Sequence, residues 1–254
     1  MTKTSLKVNQ PTAYQTGFVE FYKLRFKVTK DVLIPRPETE LLVDEVLKFV
    51  NGEWSIVNGK TNNKPSTINN KLSTISHTPY TILDLGTGSG NIAISIAKNA
   101  TNVKIIAIDV SKKALEIAKQ NAKLHNVLDQ ITFIQSNLLS TKNSLLRKIG
   151  TFDLIVTNLP YIPSKRIPTL DSSVKDYEPH LALDGGGDGF DLYRKLFKQI
   201  KTMSLQFKLF VGEIDHTQGD IAYNEAKKYF PDSEVEIKFD LSHKQRILLI
   251  RSIL

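Results

Sequence analysis

From Tyr80 to the C-terminus the chain alternates short apolar runs with stretches that are apolar at every third or fourth position. Tyr80 to Leu85, Val103 to Ile108, Ile131 to Ile134, Phe152 to Val156 and Leu205 to Ile214 read as buried strands. Asn91 to Asn99 carries Ile92 and Ile96 at helical spacing, and Ala114, Leu115, Ala118, Ala122 and Leu124 form one face of a helix for which Ser111 is a suitable N-cap. Leu192, Leu196 and Ile200 predict a helix over 188–203, and Gly219 to Phe230 a further one. Val235 to Phe239 and Arg246 to Ile250 pair as a closing hairpin. This order predicts an α/β fold: a mostly parallel, seven-stranded, Rossmann-like sheet with helices on both faces and a terminal antiparallel hairpin.

The front of the chain differs. Phe18 to Phe21 and Arg25 to Val28 predict an N-terminal β-hairpin, and Leu41 to Val50 a connecting helix. Pro37 suits the first turn of that helix, and Glu38 and Glu40 complement its positive end. Residues 51–79 hold six Asn, four Ser and four Thr and little apolar periodicity, which predicts an exposed, flexible polar insertion. Within it, 71–75 is compatible with a brief strand or turn. The predicted organisation is therefore 1–50, hairpin and helix; 51–79, insertion; 80–254, the main α/β domain.

Composition narrows the function classes. The chain has 254 residues, 41% of them hydrophobic, enough for a substantial core. No apolar run reaches the roughly 20 residues needed to span a bilayer, and no signal core follows Met1. There is no cysteine, which excludes disulfides and thiolate chemistry, and the five histidines lack ligand spacing, so no metal site is expected. A cytoplasmic protein is expected. The net charge of +8 favours an acidic partner, but no segment combines dense Lys and Arg with aromatic residues as a nucleic-acid groove would.

Two constellations carry chemistry. Asp84-Leu85-Gly86-Thr87-Gly88-Ser89-Gly90 joins a strand to a helix, and its glycines allow a tight turn and close approach to a ligand. The spacing is G-x-G-x-G, which disfavours a pyrophosphate dinucleotide. Asp109 closes the next strand, with oxygens placed for a ribose diol. Together these match the pattern of S-adenosylmethionine methyltransferases. Asn158-Leu159-Pro160-Tyr161 follows a buried strand at the end of the sheet where ligands bind. Asn158 Oδ1 and the Pro160 carbonyl can accept both hydrogens of a planar amide or amine, and Tyr161 can stack on it. An amide nitrogen is a weak nucleophile, and two such acceptors would turn its lone pair outward and balance the charge that develops on it.

The chain resembles the release-factor glutamine methyltransferase family almost end to end. The most specific stretch is Val32-Leu33-Ile34-Pro35-Arg36-Pro37-Glu38-Thr39-Glu40. It is supported by Ala13-Tyr14, Glu20-Phe21-Tyr22, the glycine loop, the Asn-x-Pro-Tyr turn, Glu178-Pro179, Asp188-Gly189, Glu213-Ile214 with Gln218, and Asp240-Leu241 with Arg246. The resemblance implies a class I methyltransferase fold with S-adenosylmethionine as cofactor. It implies methylation of the side-chain amide nitrogen of the glutamine in the Gly-Gly-Gln motif of a peptide chain release factor; a monomer with no membrane partner is expected. It assigns Asp84, Gly86, Thr87, Gly88, Ser89, Gly90, Asp109, Asn137 and Leu138 to the cofactor. Asn158, Leu159, Pro160 and Tyr161, with Arg36 and Pro37, fall to the substrate.

The chain departs from the family pattern in several places. Leu159 stands where the family usually has a second Pro, so the turn is expected to be less rigid. Asn137 stands where it usually has Asp. Only about a dozen residues precede the hairpin, where the family's helical docking domain is expected, and no second C-terminal module is apparent. Two alternatives follow: a nucleic-acid adenine-N6 methyltransferase, whose turn is similar, and a truncated, inactive S-adenosylmethionine-binding remnant.

Overall fold

The computed structural model describes residues 9–53, 78–140 and 150–252. The polar insertion therefore lies outside the described residues over 54–77, as does the segment at 71–75.

A short helix, α1 (Thr12–Thr16), leads into the predicted hairpin, β1 (Phe18–Phe21) and β2 (Leu24–Lys27). Its turn places Tyr22 and Lys23 at φ 50° and 58°, the left-handed pair of a type I′ connection, without Gly or Asn. Glu40 explains how: its Oε1 accepts from Tyr22 N at 2.7 Å, while Tyr22 Oη donates to Asp44. Glu40 thus braces the hairpin as well as the first turn of α2 (Glu40–Val50), which follows a 3-10 turn begun by Pro37.

The main sheet contains β3 (Tyr80–Leu85), β4 (Val103–Asp109), β5 (Ile131–Gln135), β6 (Thr151–Thr157), β7 (Gln206–Glu213), β8 (Glu234–Phe239) and β9 (Gln245–Arg251). Its order is β5-β4-β3-β6-β7-β9-β8. Strands β3 to β7 run parallel, and β9 inserts antiparallel between β7 and β8. The order reverses at β3, which has β4 on one side and β6 on the other. The carboxyl ends of these strands therefore border a crevice at the switch point of the sheet.

Apolar side chains cover both faces. On one, α2 and α3 (Asn91–Asn99) pack Leu42, Val46, Ile92 and Ile96 with Ile82, Leu209 and Val211. On the other, α6 (Asp191–Thr202) and α7 (Gly219–Tyr229) bury Tyr193, Phe197 and Ala222 with Leu83, Ile155 and Phe210. The helix after β4, α4 (Lys112–Leu124), begins as expected, with Ser111 Oγ accepting from Ala114 N at 3.2 Å.

Several elements differ from expectation; α1, too short to show periodicity, is one. The helix predicted from Asp188 starts at Asp191, because Gly189 adopts φ 85° and sits where a side chain would overlap the Tyr161 carbonyl. A one-turn helix, α5 (Ser172–Lys175), was not anticipated; it is capped by Asp171 and too short to show periodicity. Among the described residues, no helix is long and apolar enough to cross a membrane.

Candidate active site

The loop after β3 is held from below by backbone bonds: Gly86 N and Thr87 N both donate to Ile108 O, at 2.8 and 2.9 Å. Gly86, Gly88 and Gly90 all have positive φ. At Gly90 the need is also spatial, since a Cβ would stand 2.9 Å from Ile94 Cδ1 and 3.1 Å from Ala118 Cβ. Gly90 therefore works at the α3–α4 contact. Asp109 fastens the loop to β4 by accepting from Gly88 N at 2.9 Å through Oδ2 and from Ser111 N at 2.8 Å through Oδ1. Each oxygen keeps a second lone pair for a ligand hydroxyl. Burial pushes the Asp109 carboxyl above the ordinary range against the pull of these backbone donors.

Asp84 is wholly buried. Its Oδ2 accepts from Thr87 Oγ1 at 2.6 Å, while its Oδ1 is buried without a hydrogen-bond partner. Burial pushes its carboxyl up to about 7, with the Thr87 hydroxyl and the Ala93 backbone N–H opposing and the charge of Asp109 adding to the rise.

On the other side of the crevice, β6 delivers Asn158. Its Nδ2 lies 3.1 Å from both Thr39 Oγ1 and Glu213 Oε2. Thr39 Oγ1 donates to the same Glu213 oxygen at 2.7 Å, and Tyr161 Oη donates to Glu213 Oε1 at 3.0 Å. Tyr161 therefore turns its hydroxyl inward. Its backbone carbonyl accepts from Gln218 Nε2 at 2.9 Å. Gly185 packs under the turn, where a Cβ would stand 2.7 Å from Pro160 O. Leu159 is 3% exposed and belongs to the core. The turn is thus held by Gln218, Gly185 and the burial of Leu159.

The two sides meet in one cavity of about 250 Å³. Gly86 to Ser89, Asp109, Asn137 and Leu138 line it, as do Asn158 to Pro160 and Arg36. Asp84, Gly90, Pro37 and Tyr161 lie outside this lining and act on it through their neighbours. Asn137 Oδ1 accepts from Lys195 Nζ at 2.9 Å, and Lys195 also lines the cavity.

Glu178 backs Arg36 of that wall: buried beneath the 31–36 segment, it pairs with Arg36 and accepts from Ile34 N. Sequence reasoning assigned no role to Thr39, Glu178, Gly185, Glu213 or Gln218. Thr39, Glu178, Glu213 and Gln218 fall within the motifs that carry the resemblance, and Glu213 gives a physical signal besides, a carboxylate ending an otherwise apolar run.

A family model described as "Methyltransferase domain" matches residues 76–206. The release factor glutamine methyltransferase of Lactococcus lactis subsp. lactis is 35% identical over 247 residues, covering 97% of this chain and 79% of that protein. The chain belongs to the release factor glutamine methyltransferase family. The protein of the same name from Flavobacterium psychrophilum is 43% identical over 192 residues, 75% of this chain and 58% of the relative. Among solved structures, the N-terminal domain of human METTL16 in complex with SAH superposes with a TM-score of 0.60 at 14% identity, covering 92% of this chain and 77% of that one. At that identity the likeness speaks for the fold.

Membership makes the chain an S-adenosylmethionine-dependent protein methyltransferase, and its own residues fit that cofactor. The glycine loop leaves backbone exposed to the cavity, and Asp84, bonded to Thr87 of that lining, places a carboxyl behind it.

Proposed function

We propose that this methyltransferase modifies the side-chain amide nitrogen, N5, of the glutamine in the Gly-Gly-Gln motif of peptide chain release factors, acting in the cytoplasm where those factors work. One observation carries the reading. The Asn158 amide is pinned through its nitrogen, so its oxygen, which takes no hydrogen bond among the described residues, is left to the cavity shared with the glycine loop. An acceptor-only oxygen at that place selects a ligand that presents N–H groups.

S-adenosylmethionine supplies an already activated methyl group when bound. What remains for the chain is to present a weakly nucleophilic nitrogen in line, exclude water and balance positive charge. Asn158 Oδ1 and the Pro160 carbonyl serve as the two N–H acceptors. Gly86 to Ser89, Asp84, Asp109, Asn137 and Leu138 serve the cofactor, and Arg36 and Leu159 belong to the substrate wall.

The test uses labelled S-adenosylmethionine with, separately, a release factor and ribosomal RNA, and locates the label by mass spectrometry. The expected result is a methyl group on the motif glutamine. Asn158→Ala is expected to abolish transfer while cofactor affinity stays within about threefold, since a lost positioning group costs rate first. Label on an adenine would overturn the reading in favour of nucleic acid. Cofactor binding without transfer to either would indicate an inactive remnant.

A further inference from the structure

We propose that Glu213 is a positioning residue that fixes the Asn158 amide in one orientation and polarises it toward the acceptor nitrogen. This deepens the reading of Asn158 as the acceptor-binding group and rests on it.

Glu213 ends β7 one strand away from Asn158, and it is 1% exposed. A carboxylate only accepts hydrogen bonds, and the Thr39 hydroxyl spends its hydrogen on Glu213 Oε2. The Asn158 atom that touches both must therefore be the donor, Nδ2. An asparagine facing two acceptors has no freedom to flip. The orientation of its oxygen toward the cavity thus follows from the chemistry of Glu213.

Charge adds a second effect. A negative group bonded to an amide N–H draws density onto the amide oxygen, and in a buried site that polarisation is strong. As the acceptor nitrogen gives its lone pair to the methyl carbon, and the carbon–sulfur pair leaves on sulfur, positive charge grows on its N–H groups. A more negative Asn158 Oδ1 stabilises that charge. The nitrogen then sheds one proton to water. A neutral glutamine at 213 would supply neither the charge nor the one-way acceptor, because its own amide can donate.

Glu213 is surrounded by few charges. Arg246 of β9 attracts it, Glu38 of the 3-10 turn repels it, and the Tyr161 phenol faces it. Asp215 lies two residues further along, and the Tyr193 hydroxyl donates to the Glu213 main-chain carbonyl. Burial raises the Glu213 carboxyl above the ordinary range, with the Thr39 and Tyr161 bonds and Arg246 opposing. Protonation on the acid side would let Glu213 donate to Asn158 Oδ1 and release the amide to turn.

The experiment compares wild type with Glu213→Gln in methyl transfer to a release factor across pH, in calorimetric S-adenosylmethionine affinity, and in the side-chain amide NMR signals of Asn158, assigned with Asn158→Ala. Glu213→Gln is expected to lower kcat on the order of 10²-fold, the scale of losing one preorganised electrostatic contact. Cofactor affinity should stay within about threefold, and the acid limb of the wild-type kcat profile should vanish. In wild type the Asn158 amide signals should move over the same pH range as that limb, and in the variant they should not. A variant with wild-type kcat and an unchanged acid limb would overturn the proposal, as would pH-independent Asn158 signals in wild type. If wild type methylates no glutamine, the functional reading fails. The NMR titration, which needs no substrate and is run on the wild-type chain even if the variant does not fold, still decides whether Glu213 governs the amide.

Discussion

Leu159 rests directly on Gly86: a Cβ built on Gly86 would stand 3.3 Å from Leu159 Cδ2, tighter than ordinary van der Waals contact. The loop assigned to the cofactor and the turn assigned to the acceptor are therefore one packed unit, and Leu159 joins them. Gly86→Ala should strain both. The left-handed φ of 74° costs roughly 1–2 kcal/mol for a residue with a Cβ, and displacement of Leu159 adds to it. Gly52→Ala is the control, because Gly52 has φ 72° with nothing within 4 Å of a Cβ. Thermal unfolding and calorimetry should show Gly52→Ala losing only the backbone strain, with cofactor affinity unchanged. Gly86→Ala should lose more stability and bind cofactor more weakly. Equal losses in the two variants would mean that the Leu159 contact transmits nothing.

Asp84 sets a pH dependence of opposite sign for stability and for binding. Its carboxyl is raised from 3.8 to about 7 by burial in the cofactor-free protein. Because the folded pKa lies above the unfolded one, the contribution of Asp84 to folding is fully present below the unfolded value and is lost as pH rises through about 7. A cationic cofactor bound in the adjoining cavity favours the carboxylate form, so cofactor affinity should rise from pH 6 to pH 8. Calorimetric Kd values at the two pH values test this against Asp84→Asn, which should bind weakly and without that slope. An identical slope in the variant would assign the pH dependence to another group.

Arg36 and Glu178 close the cavity wall by an ion pair between segments 142 positions apart. Removing one partner of a buried pair strands the other charge, at about 3–5 kcal/mol when both are buried. The Arg36 side chain is 35% exposed, so solvent screens part of the loss, and roughly 1–3 kcal/mol is expected for Arg36→Ala. Arg36→Ala/Glu178→Gln should recover part of the lost Tm, because the stranded charge is gone. A double variant no more stable than Arg36→Ala would show that Glu178 tolerates isolation.

The same separation explains what the sequence made legible. Parallel strands buried on both faces are written as continuous apolar runs, so β3 and β6 could be found within a residue or so. The glycine loop and the Asn158 turn are local, and their residues could be named. Thr39 and Glu213, by contrast, bond across 174 positions. No periodicity links a threonine in a Pro-rich turn to a glutamate at the end of a distant strand. For the same reason Tyr161 suggested a stacking surface, whereas its hydroxyl is drawn inward by that glutamate. Glu40 suggested a helix-dipole partner, and its bond to Tyr22 N became visible only once the hairpin was in place.

Phe49, in the last turn of α2, and Tyr80, at the start of β3, pack edge to face with ring centroids 5.8 Å apart, so the chain leaves and re-enters the described fold at nearby points. A short connection can close that gap. Replacing 54–77 with four Gly/Ser residues reduces the connection about threefold, and the entropy of closing it falls by about 1 kcal/mol. Tm should therefore rise by roughly 2–4 °C. Methyl transfer should be unchanged, since Gly86 to Ser89, Asp109 and Asn158 to Pro160, which line the cavity, all lie outside the replaced segment. A fall in Tm of more than a few degrees would mean that the segment makes contacts the fold depends on. Unchanged Tm with lost transfer to a release factor, but not to a short Gly-Gly-Gln peptide, would assign the segment to docking of the larger substrate.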